Sequence, residues 1–198
     1  MLRLGFLASH NGASMRAIVG AIEAGVLDAQ ALIAVSNNAD APALDFARAH
    51  GLATAHISAK VSGSDEAADA AIGAALADGG AEIIILSGYL RLVGPLTLAR
   101  YRGCVLNVHP ALLPKFGGRG MYGRRVHEAV LAAQEAESGA SVHVVDEIYD
   151  HGPVIAQRTV PVLPSDTPDT LAERVVSIEG ALFVETLRAI AARGTVLP

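Results

Sequence analysis

The chain has 198 residues, of which 52% are hydrophobic and 18% are charged, and its formal net charge is −5 at pH 7. This length and hydrophobicity suffice for one substantial core and argue against a disordered protein. No long basic tract indicates nucleic-acid binding, and no apolar run approaches the roughly 20 residues of a membrane span. Residues 1–7 lack a basic leader, and the single Cys104 cannot form an internal disulfide. We therefore expect a cytoplasmic protein without nucleic-acid or membrane partners.

The first half of the chain alternates apolar strands with helices. Residues 2–8 are continuously apolar, which is typical of a strand covered on both faces, and apolar residues at helical spacing follow from Met15 to Val26. Further strands are expected over residues 31–35, 52–57 and 82–86, and further helices over residues 42–50 and 64–78. This alternation predicts βαβ units around a mainly parallel sheet.

A turn of small polar residues, 9–14, joins the first strand to the first helix. Such a turn aims the amino-terminal N–H groups of a helix at a common point, where they can bind a phosphate. The turn contains neither G-x-G-x-x-G nor the lysine of a P-loop, so it does not support NAD or ATP binding. Its alternative role is simply to connect the two elements.

The second half predicts a mixed sheet. Residues 115–123 contain four glycines in nine residues, which indicates a mobile surface loop near a site. A helix is expected over 124–133, and a long helix from 168 to about 193. Strands 140–145 and 154–162 are joined by a short polar turn, and a connection this short favours an antiparallel hairpin.

Asn107 and His109 follow the apolar run 104–106, two positions apart. In an extended backbone they project from the same face, at the carboxyl end of a strand where open α/β sheets build their sites. An amide can donate to a developing oxyanion, and an imidazole can exchange a proton near neutral pH. The alternative is a strand end with a core histidine. Cys104, in an apolar strand, is expected to be inert.

Four segments together carry a resemblance to the folate-dependent formyltransferases. They are F-L-A-S-H-N-G-A-S, L-S-G-Y-L-R-L-V, L-N-V-H-P-A-L-L-P-K-F and G-A-S-V-H-V-V-D-E-I-Y-D-H-G-P-V-I-A-Q. The resemblance implies a Rossmann-like formyltransferase fold in one domain, 1–198, with a phosphate-binding half, 1–100, and a catalytic and folate-binding half, 101–198. It implies formyl transfer from the co-substrate N10-formyltetrahydrofolate to the amine of glycinamide ribonucleotide in purine biosynthesis, with no metal.

The resemblance also assigns roles to individual residues. Asn107 and His109 stabilise the oxyanion, Asp150 is the catalytic acid, and His143 supports them or is a satisfied core histidine. The ribonucleotide phosphate is assigned to Asn11, Gly12, Ala13 and Ser14. The folate is assigned to Arg91, Leu92, Val93, Asp146, Glu147, Ile148 and Tyr149.

Three features depart from the family pattern. Asp65 and Cys104 stand where better-known members have arginines, and the loop 117–123 differs from the shorter form of those members. These departures concern the formyl acceptor more than the formyl donor. We hypothesise that the missing positive charge is supplied by Arg119, Arg124 or Arg125.

Several alternatives remain open at this point. The same Asn-His-Asp cluster would serve a formyltetrahydrofolate hydrolase, with water as acceptor, or a transferase acting on the amine of a sugar nucleotide. A metal hydrolase could use His109, His143 and Asp150, but the sequence lacks a close-spaced ligand pair. A non-catalytic folate- or nucleotide-binding protein is the alternative of a different class. The sequence leaves the oligomeric state open, including a homodimer.

Overall fold

The computed structural model describes residues 1–197, which form one seven-stranded sheet with helices on both faces. The strands are β1 Leu2–Ala8, β2 Ala29–Ser36, β3 Ala53–His56, β4 Ile83–Leu86, β5 Val105–His109, β6 Glu137–Val144 and β7 Val154–Pro161. Their order across the sheet is β3-β2-β1-β4-β5-β6-β7. The first five are parallel, and β6 and β7 are antiparallel to their neighbours. The predicted α/β class with a mixed second half is confirmed.

Seven helices cover this sheet within residues 1–197. They are α1 Ala13–Glu23, α2 Pro42–Ala49, α3 Ala59–Ser62, α4 Asp65–Asp78, α5 Pro95–Arg100, α6 Arg124–Ala132 and α7 Pro168–Arg193. The short helices α3 and α5 were not predicted. The buried carboxylate of Asp69 accepts hydrogen bonds from the N–H groups of Leu96 and Thr97, and so caps α5 from another element. No helix in this part of the chain has the length and apolarity that a membrane crossing requires.

The parallel strands are buried on both faces. In β4, Ile83 and Ile85 belong to one core cluster, whereas Ile84 and Leu86 belong to the other. The first cluster includes buried side chains of α1, α2 and α7, and the second includes those of α4. The continuous apolar run of β4 follows from this double burial, because both alternating faces lie against helices.

The strand order reverses direction beside β1. The chain runs from β1 outward through β2 to β3, and then returns to place β4 on the other side of β1. In open α/β sheets the loops at the carboxyl ends of strands diverge at such a point and leave a crevice. The turns after β1, β2 and β4 are linked there through Ser9, whose Oγ donates to Asn37 Oδ1 (2.7 Å) and accepts from Leu90 N (2.8 Å).

Candidate active site

Asn107 and His109 lie inside β5, two residues apart on one face. The strand begins at Val105 and continues through His109, so it extends past the predicted end at residue 106. The antiparallel strand β6 places His143 opposite Asn107, and Asn107 Nδ2 lies 3.2 Å from His143 Nε2. His109 and His143 are 3% and 2% exposed, respectively. The register of two strands therefore brings an amide and two imidazoles together.

Asp150 joins this cluster from the turn between β6 and β7. Its Oδ2 lies 3.4 Å from His109 Nδ1, and its Oδ1 lies 3.6 Å from His143 Nε2. The N–H of Gly118 donates to Oδ2 at 3.0 Å. The structure thus brings together the three predicted catalytic residues and the predicted supporting histidine, with a carboxylate placed between two imidazoles.

The hydrogen bonds indicate the protonation of both histidines. His109 Nε2 lies 2.8 Å from the carbonyl oxygen of Phe116, which can only accept, so this nitrogen carries a proton. His143 Nδ1 likewise donates to the carbonyl oxygen of Val144 at 3.0 Å, which leaves Nε2 free to accept from Asn107. The nitrogen of His109 with a variable proton is therefore Nδ1, which faces Asp150.

The charge of Asp150 is stabilised by these neighbours. Burial raises the pKa of the carboxyl, but the neighbouring rings of His109 and His143 and the hydrogen bond from the N–H of Gly118 outweigh it, and the pKa lies well below its usual range. The group is a carboxylate at neutral pH.

The turn that carries Asp150 is held by close backbone packing. A Cβ at Gly152 would lie 1.9 Å from the carbonyl oxygen of Val144, so the turn can approach β6 this closely only with glycine. Asp150 itself has a φ of 54°, in the left-handed region. Gly152 therefore allows the turn that carries the carboxylate to lie directly against β6.

The glycine-rich loop contacts the cluster through its first residues. Phe116 and Gly118 bind His109 and Asp150 through backbone groups, and Gly117 packs against Asp150 and Leu113, where a Cβ would come within 2.5 Å of Leu113 Cδ2. Residues 116–118 of the loop therefore lie against the candidate site. Arg119, Tyr122 and Gly123 are exposed.

Two polar residues that sequence reasoning missed fix the segment before this loop. Ser141 Oγ accepts from Leu113 N (3.0 Å) and donates to the carbonyl of Ala111 (2.6 Å), while Gln157 Nε2 donates to Ser141 Oγ (2.7 Å) and to the carbonyl of Leu113 (3.0 Å). Ser141 precedes His143 by two positions in a strand, so the two side chains project from the same face. This spacing is the feature of the sequence that could have indicated Ser141.

The turn after β1 presents free donors, as its composition predicted. Gly12 has a φ of 68° and forms the N-cap of the eleven-residue helix α1 without a side-chain cap. Met15 N is bound by Ser87 Oγ at 2.9 Å. The N–H groups of Ala13 and Ser14 make no hydrogen bond with residues 1–197. An anion at this helix start would satisfy them.

A cavity of about 470 Å³ lies between the loops after β2, β3 and β4, and it reaches Tyr149, the residue before Asp150. Of the predicted folate-binding residues, Arg91, Leu92 and Tyr149 line it. Val93 is instead buried in the core, and the other three, Asp146, Glu147 and Ile148, lie on the adjoining turn outside the lining. Asp146 holds that turn, because it accepts from Ile148 N and lies 2.8 Å from His151 Nδ1.

Two further ionisable residues lie near His109 and were not predicted. Burial raises the pKa of Glu179, on α7, to about 7, and the charge of His109 partly opposes this rise. Burial and then the charge of His109 lower the pKa of His127, on α6. His127 is 3% exposed, and its Nδ1 has no partner among the described residues. The sequence contains one indication of Glu179. It is a charged residue four positions after Val175, and so lies on the apolar face of a helix.

The departures from the family pattern have distinct surroundings. Asp65 begins α4 and lines the cavity. Cys104 precedes β5 and is half-buried, which raises the pKa of its thiol and supports the prediction of an inert side chain.

The three arginines that could supply the missing positive charge have different contacts. Arg124 forms ion pairs with Glu128, at 2.9 Å, and with Asp169, whereas Arg125 lies over the ring of Tyr122. Arg119 and Arg125 are both exposed and make no ion pair within residues 1–197.

No group of three or more His, Cys, Asp or Glu side chains in the described part of the chain has the arrangement of a metal site. His109 and His143 lie 3.4 and 3.6 Å from the Asp150 carboxylate, and each ring also contacts a backbone carbonyl. These side chains can donate hydrogen bonds and exchange protons.

Known proteins resemble this chain along most of its length. The formyl transferase family model matches residues 2–187. The phosphoribosylglycinamide formyltransferase of Escherichia coli K12 is 34% identical over 177 residues, covering 89% of this chain and 81% of that protein. The chloroplastic phosphoribosylglycinamide formyltransferase of Arabidopsis thaliana is 35% identical over 189 residues. That match covers 95% of this chain but only 65% of the length of the plant protein.

Solved structures agree with the sequence relatives. Glycinamide ribonucleotide transformylase 1 from Symbiobacterium toebii has a TM-score of 0.90 at 33% identity, with 98% of this chain and 89% of that chain covered. The phosphoribosylglycinamide formyltransferase from Brucella melitensis has a TM-score of 0.87 at 39% identity, with 96% of each chain covered. The resemblance predicted from the four sequence segments is confirmed, and the chain belongs to the formyl transferase family.

Proposed function

We propose that this protein transfers the formyl group of N10-formyltetrahydrofolate to the amine of glycinamide ribonucleotide, a step of purine biosynthesis. The observation that carries the proposal is the Asp150 carboxylate between His109 and His143, with Asn107 beside them at the carboxyl end of β5. Relatives named phosphoribosylglycinamide formyltransferase support the choice of acceptor.

The first chemical step forms a tetrahedral carbon. The neutral amine attacks the formyl carbon, a C–N bond forms, and the carbonyl π electrons move onto oxygen. Asn107 Nδ2 donates to this oxyanion, and the imidazolium of His109 adds a positive charge nearby. Loss of one such donor costs on the order of 2.7–4 kcal/mol of transition-state stabilisation in known enzymes.

The second step moves one proton and breaks one bond. The attacking nitrogen loses a proton and the leaving N10 gains one, so that the products are the formylated amine and tetrahydrofolate. Nδ1 of the His109 imidazolium gives its proton to the leaving N10 and takes up the proton lost by the attacking nitrogen, while Nε2 stays bound to the carbonyl of Phe116. The ionised Asp150 keeps the imidazolium available and can hold a relay water.

The binding roles follow the same geometry. The phosphate of the ribonucleotide binds the free N–H groups of Ala13 and Ser14, with Asn11 and Gly12 shaping the turn. The folate occupies the cavity lined by Arg91, Leu92 and Tyr149, with Val93 supporting it from the core. The turn 146–149 closes this cavity over the folate through backbone groups. Both halves, 1–100 and 101–198, then act as one formyltransferase domain.

Glu179 is assigned to the acceptor. A half-buried carboxyl within electrostatic reach of His109 is well placed to accept a hydrogen bond from the amine or a hydroxyl of the ribonucleotide. A cytoplasmic location stays a prediction from the sequence, which leaves the oligomeric state open.

The test is the absorbance change as 10-formyl-5,8-dideazafolate loses its formyl group, measured with and without glycinamide ribonucleotide. We expect loss only with the ribonucleotide. Loss without it would replace the proposal with hydrolysis. If formyl loss requires the amine of a sugar nucleotide, the proposed formyl donor stands but the acceptor is that amine. If the protein binds the folate without any turnover, it is a non-catalytic binding protein.

A further inference from the structure

The turn after β1 is held by two donors on its carbonyl groups. The carbonyl oxygen of His10 accepts from Ala43 N at 2.9 Å, and the carbonyl oxygen of Asn11 accepts from Arg16 Nε at 2.8 Å. In a planar trans peptide the C=O of one residue and the N–H of the next point in opposite directions. These two bonds therefore direct the N–H groups of Asn11 and Gly12 away from Ala43 and from the Arg16 guanidinium.

Four consecutive N–H groups, those of residues 11–14, make no hydrogen bond within residues 1–197. Successive free N–H groups in a turn form a concavity that binds anions. The helix geometry of α1 directs the N–H groups of Ala13 and Ser14. The N–H of Gly12 precedes the helix, so its direction depends on the peptide plane that Arg16 holds.

Arg16 is itself fixed before any anion binds. Its guanidinium lies 4.4 Å from the centre of the Phe46 ring, and its Nη2 lies 3.4 Å from the carbonyl oxygen of Pro42. Phe46 packs against the core, so the surface under the guanidinium is rigid. A planar guanidinium can stack on a ring and donate to carbonyl oxygens from its edge, whereas a lysine ammonium offers only a point charge.

We propose that Arg16 is a positioning residue for the phosphate of the acceptor, because it fixes the Asn11–Gly12 peptide so that the N–H of Gly12 joins those of Ala13 and Ser14 on the anion. The inference rests on the proposed function for the identity of the molecule that carries the phosphate. Arg16 acts through the turn after β1, two strands away from β5 in the sheet. It should therefore affect the binding of the acceptor and not the chemical step.

The first test titrates inorganic phosphate into ¹⁵N-labelled protein and follows the amide resonances of residues 11–14. We expect these resonances to shift in the wild type. Arg16→Ala should weaken phosphate binding about ten-fold, the loss expected for one charge-assisted hydrogen bond, and Arg16→Lys should not restore the wild-type affinity. The matched control is Arg48→Gln, which removes an exposed cation of α2 that pairs with Asp45, and should leave the affinity unchanged.

Arg16 makes no ion pair within residues 1–197, so a role through its charge alone is the alternative that these variants separate. Wild-type phosphate affinity in Arg16→Lys would assign the effect to charge and overturn the inference. Unshifted resonances of residues 11–14 in the wild type would also overturn it.

The second test measures formyl transfer with the same variants. In Arg16→Ala the KM for glycinamide ribonucleotide should rise about ten-fold, while kcat and the KM for the formyl donor stay unchanged. A fall in kcat, or an equal rise in both KM values, would indicate a general structural role and contradict the inference. Phosphate binding that depends on Arg16 in a protein without formyl transfer would retain the inference and reject the proposed function.

Discussion

His109 Nδ1 lies 3.4 Å from Asp150 Oδ2, while the other ring nitrogen of His109 is fixed on the carbonyl of Phe116. One nitrogen is thus committed to orienting the ring, and the other is left to exchange a proton beside a carboxylate. The same carboxylate also faces His143, which holds Asn107. The oxyanion donor and the proton-exchanging group are therefore coupled through one residue.

We expect Asp150→Asn to lower kcat for formyl transfer by about 10²- to 10⁴-fold, because the amide cannot stabilise the His109 imidazolium. The measurement is steady-state turnover with saturating formyl donor and ribonucleotide. Asp40→Asn, an exposed change in the turn after β2, is the control and should leave kcat unchanged. Turnover of Asp150→Asn within a few-fold of wild type would remove this residue from the mechanism.

Asn107→Ala should lower kcat by about 10²- to 10³-fold and leave the KM values of both substrates nearly unchanged. The reason is that the amide donates most strongly to the oxyanion, which exists only near the transition state. Separate kcat and KM measurements for each substrate check this expectation. A rise in KM with an unchanged kcat would instead assign Asn107 to substrate binding in the ground state.

The sequence alone predicts those strands and shared faces that depend only on the local pattern of apolar and polar residues. The run Glu82 to Leu86 predicts a strand because burial on both faces demands unbroken apolarity, and the spacing of Asn107 and His109 predicts their common face for any extended backbone. The structure places β4 at residues 83–86 and both polar side chains in β5. Local periodicity therefore predicted the central strands of the sheet and the common face of the two β5 residues in the candidate site.

Features that depend on distant packing were not recoverable. Helix α5 depends on a cap from Asp69, which is 27 residues away from Leu96. The environments of Glu179 and His127 arise because α7 and α6 carry them close to His109, and helical periodicity reports only that such positions are buried. The missed site residues are those whose chemistry is created by tertiary contacts.

Glu179 should make the free energy of unfolding depend on pH. Its pKa of about 7 in the folded protein exceeds the value of about 4.3 in an unfolded chain. The folded protein therefore binds the extra proton, and stability that is fully present below about pH 4.3 is lost as the pH rises toward 7. We expect Glu179→Gln to remove this loss, which is on the order of 3 kcal/mol.

Urea unfolding of the wild type and of Glu179→Gln between pH 5 and 8 measures this effect. The free energy of the variant should rise relative to that of the wild type as the pH increases. Glu173→Gln, an exposed change on the same helix, is the control and should show no such trend. A constant difference between Glu179→Gln and the wild type across this range would contradict the assignment.

Gly152→Ala should damage both the fold and the site, because the new Cβ would lie 1.9 Å from the carbonyl oxygen of Val144. The turn must move away from β6, and Asp150, two residues earlier, moves with it. We expect a loss of more than about 2 kcal/mol in the free energy of unfolding and a kcat reduced toward that of Asp150→Asn. Gly20→Ala is the matched control, since nothing lies within 4 Å of its Cβ and the position is helical, so it should be neutral or stabilising by up to about 1 kcal/mol. Wild-type turnover in Gly152→Ala would show that the position of the carboxylate does not depend on this close approach.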